Sequence, residues 1–222
     1  MQSPRMSTTL STALLLLALI FVCPGCTPPS YRVHPDFEST AKSLRTQQVI
    51  LADVRIYDRS PEGRPELRDD WCAAGRQNLM HALLNGLKQR RYTARPLALE
   101  PGMAREMEDI HALYDAVNKS IQLHAYGPQL FPEKQKHFDY SIGSLRGILP
   151  GRETDSVVFV SAFEQVGPQD PKAYISMAVA DSSGTILWYS IKGSLGDDDL
   201  RDPQSAAELV EEILSDFPAA DG

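Results

Sequence analysis

Residues 173–194 read AYISMAVADSSGTILWYSIKGS, and the fold is decided here. Two apolar, β-prone runs flank Asp181-Ser182-Ser183-Gly184, the pattern of strands joined by a tight turn. Gly184 supplies the positive φ that such a turn needs. Residues 173–180 and 185–194 are therefore expected to form an antiparallel hairpin. Upstream, 156–163 (SVVFVSAF) is β-branched and almost wholly apolar, as suits a central strand buried on both faces. Downstream, Asp202-Pro203 provides an N-cap and a first helical residue. Ala206, Leu209, Val210, Ile213, Leu214 and Phe217 then make the core-facing stripe of a final helix.

Further out, 48–57 (QVILADVRIY) predicts a strand, with Ile50, Ala52, Val54 and Ile56 on one face and Val49 and Leu51 on the other. After a Pro/Gly-rich loop over 58–68, Asp69 or Asp70 is expected to cap a helix reaching about residue 90. Its stripe is Trp71, Gly75, Leu79, Ala82, Leu83 and Gly86. A short strand over 92–99 carries Pro96, which suits an edge. A helix over 101–125 follows, with Met103, Met107, Ile110, Tyr114, Val117 and Ile121 at helical spacing. The segment 139–148 reads as another short helix. The order β-α-β-α-α-β-β-β-α predicts an α/β (α+β) fold, one domain over 48–218 with helices packed on a mixed sheet that ends in the antiparallel hairpin.

The N-terminus reads differently. Arg5 and the unbroken apolar run 13–22 (ALLLLALIFV) precede Cys23-Pro24-Gly25-Cys26, the layout of a secretory signal. Ten apolar residues are too few to cross a bilayer, which takes about 20. Peptidases need a small residue before the cut, so cleavage is expected between Gly25 and Cys26, not after Val22. Residues 1–25 are then a leader, Cys26 is the lipidation site, and 26–47, with Pro28, Pro29 and Pro35, is a flexible tether. The alternative is an ordinary leader releasing a soluble periplasmic chain. Cleavage removes Cys23 and acylation occupies Cys26, leaving Cys72 alone; followed by Ala73, Ala74 and Gly75, it reads as a small buried hydrophobe.

The chain carries 29 acidic and 22 basic residues, a net charge of −7. No basic stripe is present to neutralise phosphates, which argues against nucleic acid. Attachment to a membrane would come from the acyl chains on Cys26.

Taken together, the cysteine motif, the Val/Ile-rich first strand, the small-residue helix and the hairpin Val179-Ala180-Asp181-Ser182-Ser183-Gly184-Thr185-Ile186-Leu187-Trp188 resemble bacterial envelope lipoproteins. The likeness is to those built on the fold of the curli-secretion channel protein and of the TolB N-terminal domain. It covers about 48–217 and rests on packing and turn motifs. It implies an accessory or scaffold role among envelope proteins and carries over no catalytic residue. The helical insert over 103–131 departs from the pattern. No amphipathic hairpin that would line a channel is evident.

Motifs for chemistry are sparse. His34, His81, His111, His124 and His137 form no i, i+4 pair and no H-E-x-x-H. Asp197-Asp198-Asp199 lacks the alternating ligands and closing glutamate of a calcium loop. Neither phosphate-binding glycine motif occurs, and Gly143-Ser144 is not a G-x-S-x-G elbow. Asp69-Asp70 and Glu211-Glu212 sit where helix starts and solvated faces place carboxylates. No metal, no cofactor and no catalysis are expected. Trp188 and Tyr189 alternate on the hairpin: Trp188 is expected beneath the final helix, and Tyr189 outward on a partner surface.

The expectation is a non-enzymatic lipoprotein of the outer membrane facing the periplasm, the address that the resemblance implies because Thr27 follows Cys26, and not the Asp that marks inner-membrane retention in the enteric lipoproteins it draws on. It would bind envelope proteins. The inner membrane remains an alternative address. A second reading is a periplasmic small-ligand binder with a pocket between the 103–125 helix and the sheet.

Overall fold

In the computed structural model the described residues are 30–59, 64–98, 100, 102–127, 137–149, 154–168, 171–194 and 198–220. Their strands are β1 (Tyr31–Val33), β2 (Thr46–Asp58), β3 (Glu66–Leu67), β4 (Thr93–Pro96), β5 (Ser156–Val166), β6 (Lys172–Asp181) and β7 (Ile186–Ser194). Their α-helices are α1 (Phe37–Thr40), α2 (Asp69–Gln89), α3 (Ala104–Ile121) and α4 (Pro203–Ser215). All seven strands form one sheet in the order β1-β7-β6-β5-β2-β3, with β4 also on β2. β2 runs parallel to β4 and β5, and the remaining pairs are antiparallel. The expected mixed α/β architecture is thus present.

The parallel pairs explain the layering. From β2 the chain crosses through α2 to β4 on one side, and from β4 through α3 to β5 on the other. Connections of one hand leaving a strand in opposite directions put their helices on opposite faces. Accordingly one core joins α2 and α4 to Val158, Val160, Met177, Val179 and Trp188. The other joins α3 to Val157, Phe159, Ala178 and Tyr189. The hairpin has its expected turn, with Gly184 at φ 84°. Asp202 caps α4 by accepting from the Ser205 N–H at 2.8 Å, with Pro203 in the first turn. α2 differs at its start: its N-cap is Arg68, without a side-chain cap, and Asp69 and Asp70 lie in the first turn.

Four expectations are corrected. First, Tyr31 to Ser43 are not a flexible tether: β1 pairs with β7, Tyr31 stacks on Trp188, and Phe37 and Leu44 are buried. The open edge of β7 gives this proline-flanked segment a partner that local composition does not show. Second, a bulge in β2 between Leu51 and Asp53 shifts the alternation. Ile50 faces the α3 side, whereas Val54 and Ile56 join Val49 on the α2 side. Third, 139–148 is not a helix. Ser141 bridges Thr185, and the N–H groups of Ile142 and Leu145 donate to the Gly184 and Ser182 carbonyls at 2.9 and 3.1 Å. The hairpin turn satisfies this backbone, while Ile142, Leu145 and Ile148 plug the α3-side core. Fourth, Tyr189 is buried and not outward.

Candidate functional site

The residues expected to carry the anchor, Gly25 and Cys26, lie outside the described residues. The first described residue, Ser30, is clasped. The Ser30 hydroxyl donates to the Asp216 carboxylate and accepts from Lys192 Nζ at 3.0 Å. Its carbonyl accepts from the Tyr126 hydroxyl at 3.0 Å and the Ser190 hydroxyl at 3.4 Å. Lys192 and Asp216 pair at 2.9 Å. The Ser30 hydroxyl, then Lys192, hold the Asp216 carboxyl below its ordinary range. Arg32 reinforces the clasp by donating to the Ala125 carbonyl at 3.2 Å and lying 5.0 Å over the Tyr126 ring. β7, the end of α4 and the π-turn Gln122–Tyr126 after α3 thus converge on the residue four positions after Cys26.

Tyr189, expected on a partner surface, lies beneath α3. Its hydroxyl donates to Asn118 Oδ1 at 2.6 Å, and Gln122 Nε2 reaches both groups, at 3.3 and 3.4 Å. Burial pushes the phenol well above its ordinary pKa. Alternation requires Trp188 and Tyr189 to face opposite ways, and it is α3 that makes Tyr189's side an interior. Beside this cluster is a cavity of about 100 Å³ lined by Asp53, Arg55, Asp115, Lys119, Ser161 and Tyr174, among others. Small-molecule pockets run from about 300 to 1,000 Å³; this one has room for a few waters. The ligand pocket expected between this helix and the sheet is thus not of ligand size. Met107 and Tyr114 from α3 fill the space instead, Tyr114 stacking on Phe159 at 4.7 Å.

A larger depression of about 610 Å³ lies on the opposite face, between α2 and α4. The helices run parallel, because Asn78 Nδ2 bonds the Leu200 and Arg201 carbonyls at one end and Arg90 pairs with Glu211 at 3.1 Å towards the other. Gly86 permits the close approach: a Cβ there would lie 2.5 Å from Leu214 Cδ1. Gln77, His81, Asn85 and Gln89, four apart on α2, face Gln204 and Glu211 on α4. These side chains are mostly neutral donors and acceptors, suited to hydrogen bonds with a polypeptide surface.

At the top of β5 a carboxylate is buried. Glu164 continues the inward series Val158, Val160, Ala162 and accepts from the Leu200 N–H at 3.0 Å. Nearby, Trp71 lies between the guanidinium groups of Arg68 and Arg201, at 4.3 and 4.2 Å from its ring centre, and Arg201 binds Asp199 through two bonds of 2.7 Å. Burial raises the Glu164 pKa from 4.5 to about 7. The folded state therefore holds a proton that the unfolded state releases across that interval. Stability falls as pH rises from about 4.5 to 7, and the cost is full above 7. Glu164→Gln keeps an acceptor for Leu200 without the charge. It should stabilise the fold by about 2 kcal/mol at pH 8 and change little at pH 4. Thermal melts at both pH values check this; an equal gain at each contradicts it.

Cys72 is buried as expected, its Sγ accepting from the Ile56 N–H at 3.2 Å. Among the described histidines, His34 follows β1, His81 is on α2, His111 on α3, His124 in the π-turn and His137 in the irregular segment before Ser141. Among the described residues no three His, Cys, Asp or Glu side chains converge on a metal position, and no helix is long and apolar enough to cross a membrane.

No family model matches the chain, and no curated protein matches it. Among solved structures, a PelC dodecamer from Paraburkholderia phytofirmans is similar at 12% identity and TM-score 0.35, over 80% of this chain and 89% of that one. The lipoprotein GNA1162 from Neisseria meningitidis is similar at 12% and 0.31, over 68% and 81%. The LpoB C-terminal domain from Salmonella enterica is similar at 12% and 0.29, over 72% and 99%. Likeness at this level extends to nothing about activity or partners.

Proposed function

We propose that this chain is a lipoprotein of the bacterial cell envelope, exported, cut between Gly25 and Cys26, and held by acyl chains on Cys26. It resides in the outer membrane facing the periplasm and acts without catalysis, as an accessory or scaffold for envelope proteins. The observation that carries the reading is the leader that closes on Gly25-Cys26. The clasp at Ser30 suits it, because it grips the chain four residues after the anchored cysteine. The polar depression between α2 and α4 offers a surface on which a partner could dock. Among the described residues, the pocket that the small-ligand reading places beneath α3 holds only about 100 Å³.

Growth with radiolabelled palmitate tests the anchor. The natural chain should be labelled and sediment with membranes, and Cys26→Ala should lose the label and become soluble. A natural chain without label, or a labelled Cys26→Ala variant, would refute the proposal.

A further inference from the structure

The clasp restricts how an anchored domain can sit on a bilayer. From Cys26 to Ser30 there are four Cα steps, which span at most about 14 Å when fully extended. Acyl chains on Cys26 place that residue at the edge of the hydrocarbon, and the headgroup layer above it is roughly 5–8 Å thick. Ser30 is therefore held in or just outside the headgroups. It cannot swing clear, because side chains from β7, the π-turn and the end of α4 grip it.

What surrounds Ser30 is then the membrane-facing surface. Tyr126, which binds the Ser30 carbonyl, lies three residues beyond Leu123 in the same π-turn, and the Leu123 side chain is 60% exposed, the largest exposure among the described large hydrophobic residues. Val33, 36% exposed, lies on β1 itself. Tyr31 and Tyr126 are half-buried beside them, and tyrosines favour the headgroup level. At the opposite edge of the sheet, five strand intervals away, Leu67 on β3 is 45% exposed; at about 4.8 Å per interval that is roughly 24 Å.

We infer that the β1 edge rests on the lipid surface with the Leu123 side chain among the headgroups, turning the β3 edge towards the periplasm. The inference rests on acylation at Cys26. It selects lipid over a protein partner because the length of chain between anchor and clasp leaves this edge no other neighbour as near.

The test uses the full chain, exported, acylated and reconstituted in vesicles of phosphatidylethanolamine and phosphatidylglycerol. Leu123→Cys and Leu67→Cys carry an environment-sensitive dye; the buried Cys72 in the natural chain supplies the blank. Nitroxide-labelled lipids should quench the dye at 123 several-fold more than at 67, with a blue shift only at 123. Equal quenching at the two positions in a chain shown by palmitate label to be acylated overturns the orientation while leaving the anchor intact. A blue shift at 123 that appears without vesicles and grows with protein concentration overturns it too, by showing that a second copy covers the edge. A chain without palmitate overturns the anchor itself, and the orientation with it.

Discussion

Trp188→Ala will lower the unfolding free energy by about 3–5 kcal/mol, the usual cost of emptying a large aromatic site. Trp188 is fully buried on β7, where it meets Phe217 edge-on at 5.0 Å and Tyr31 face-on at 6.3 Å. It thus ties the hairpin to Phe217, two residues beyond α4, and to β1, so one substitution loosens all three. The indole N–H finds no acceptor among the described residues, so its removal relieves an unpaired donor and favours the lower half of that range. Urea unfolding followed by far-UV circular dichroism measures the change. A midpoint equal to that of the natural chain would mean that Trp188 is not in the core.

The second large effect is at the turn. Gly184 has φ 84°, where an alanine costs about 1–2 kcal/mol. A Cβ there would also run into the Gly143 carbonyl, and such overpacking adds roughly 1–3 kcal/mol. Gly184→Ala should therefore destabilise the fold by about 2–5 kcal/mol. The damage should spread to the 141–145 segment, whose Ile142 N–H donates to the Gly184 carbonyl at 2.9 Å. Amide exchange would show it as lost protection at Ile142 and Ile186. A loss confined to global stability, with Ile142 still protected, would mean that the turn and this segment are uncoupled.

These two positions also mark what was legible in the sequence. The hairpin, the central strand and the capped final helix each carry a local signal: a glycine at the turn, an apolar β-branched run, an Asp-Pro start. The bulge in β2 carries none. It moves Val54 and Ile56 to the face of Val49, although strict alternation puts them with Ile50. β1 was hidden because its three residues are strand only by virtue of β7, far along the chain. Tyr189 shows the limit of alternation itself, which separates two faces without saying which of them another element will cover.

The candidate site divides the same way. Cys26 is legible only in the sequence, from the apolar run and the small residue before it. The clasp is legible only in three dimensions, since Ser30, Tyr126, the β7 pair Ser190 and Lys192, and Asp216 come from four places along the chain. Glu164 had a sign that is easy to pass over: it occupies an inward position of a strand whose other inward residues are Val158, Val160 and Ala162. The α2–α4 depression had none, because a row of amides four apart on a helix reads as an ordinary solvated face.

The central claim is the acylated Cys26, and the intact mass of the mature chain purified from membranes tests it most directly. The account predicts a polypeptide beginning at Cys26, heavier than its sequence by the mass of its acyl chains, and returning to the polypeptide mass from Thr27 onward when the N-terminal residue is removed. A mature chain that starts elsewhere, or one whose mass leaves no room for an acyl chain, would contradict it.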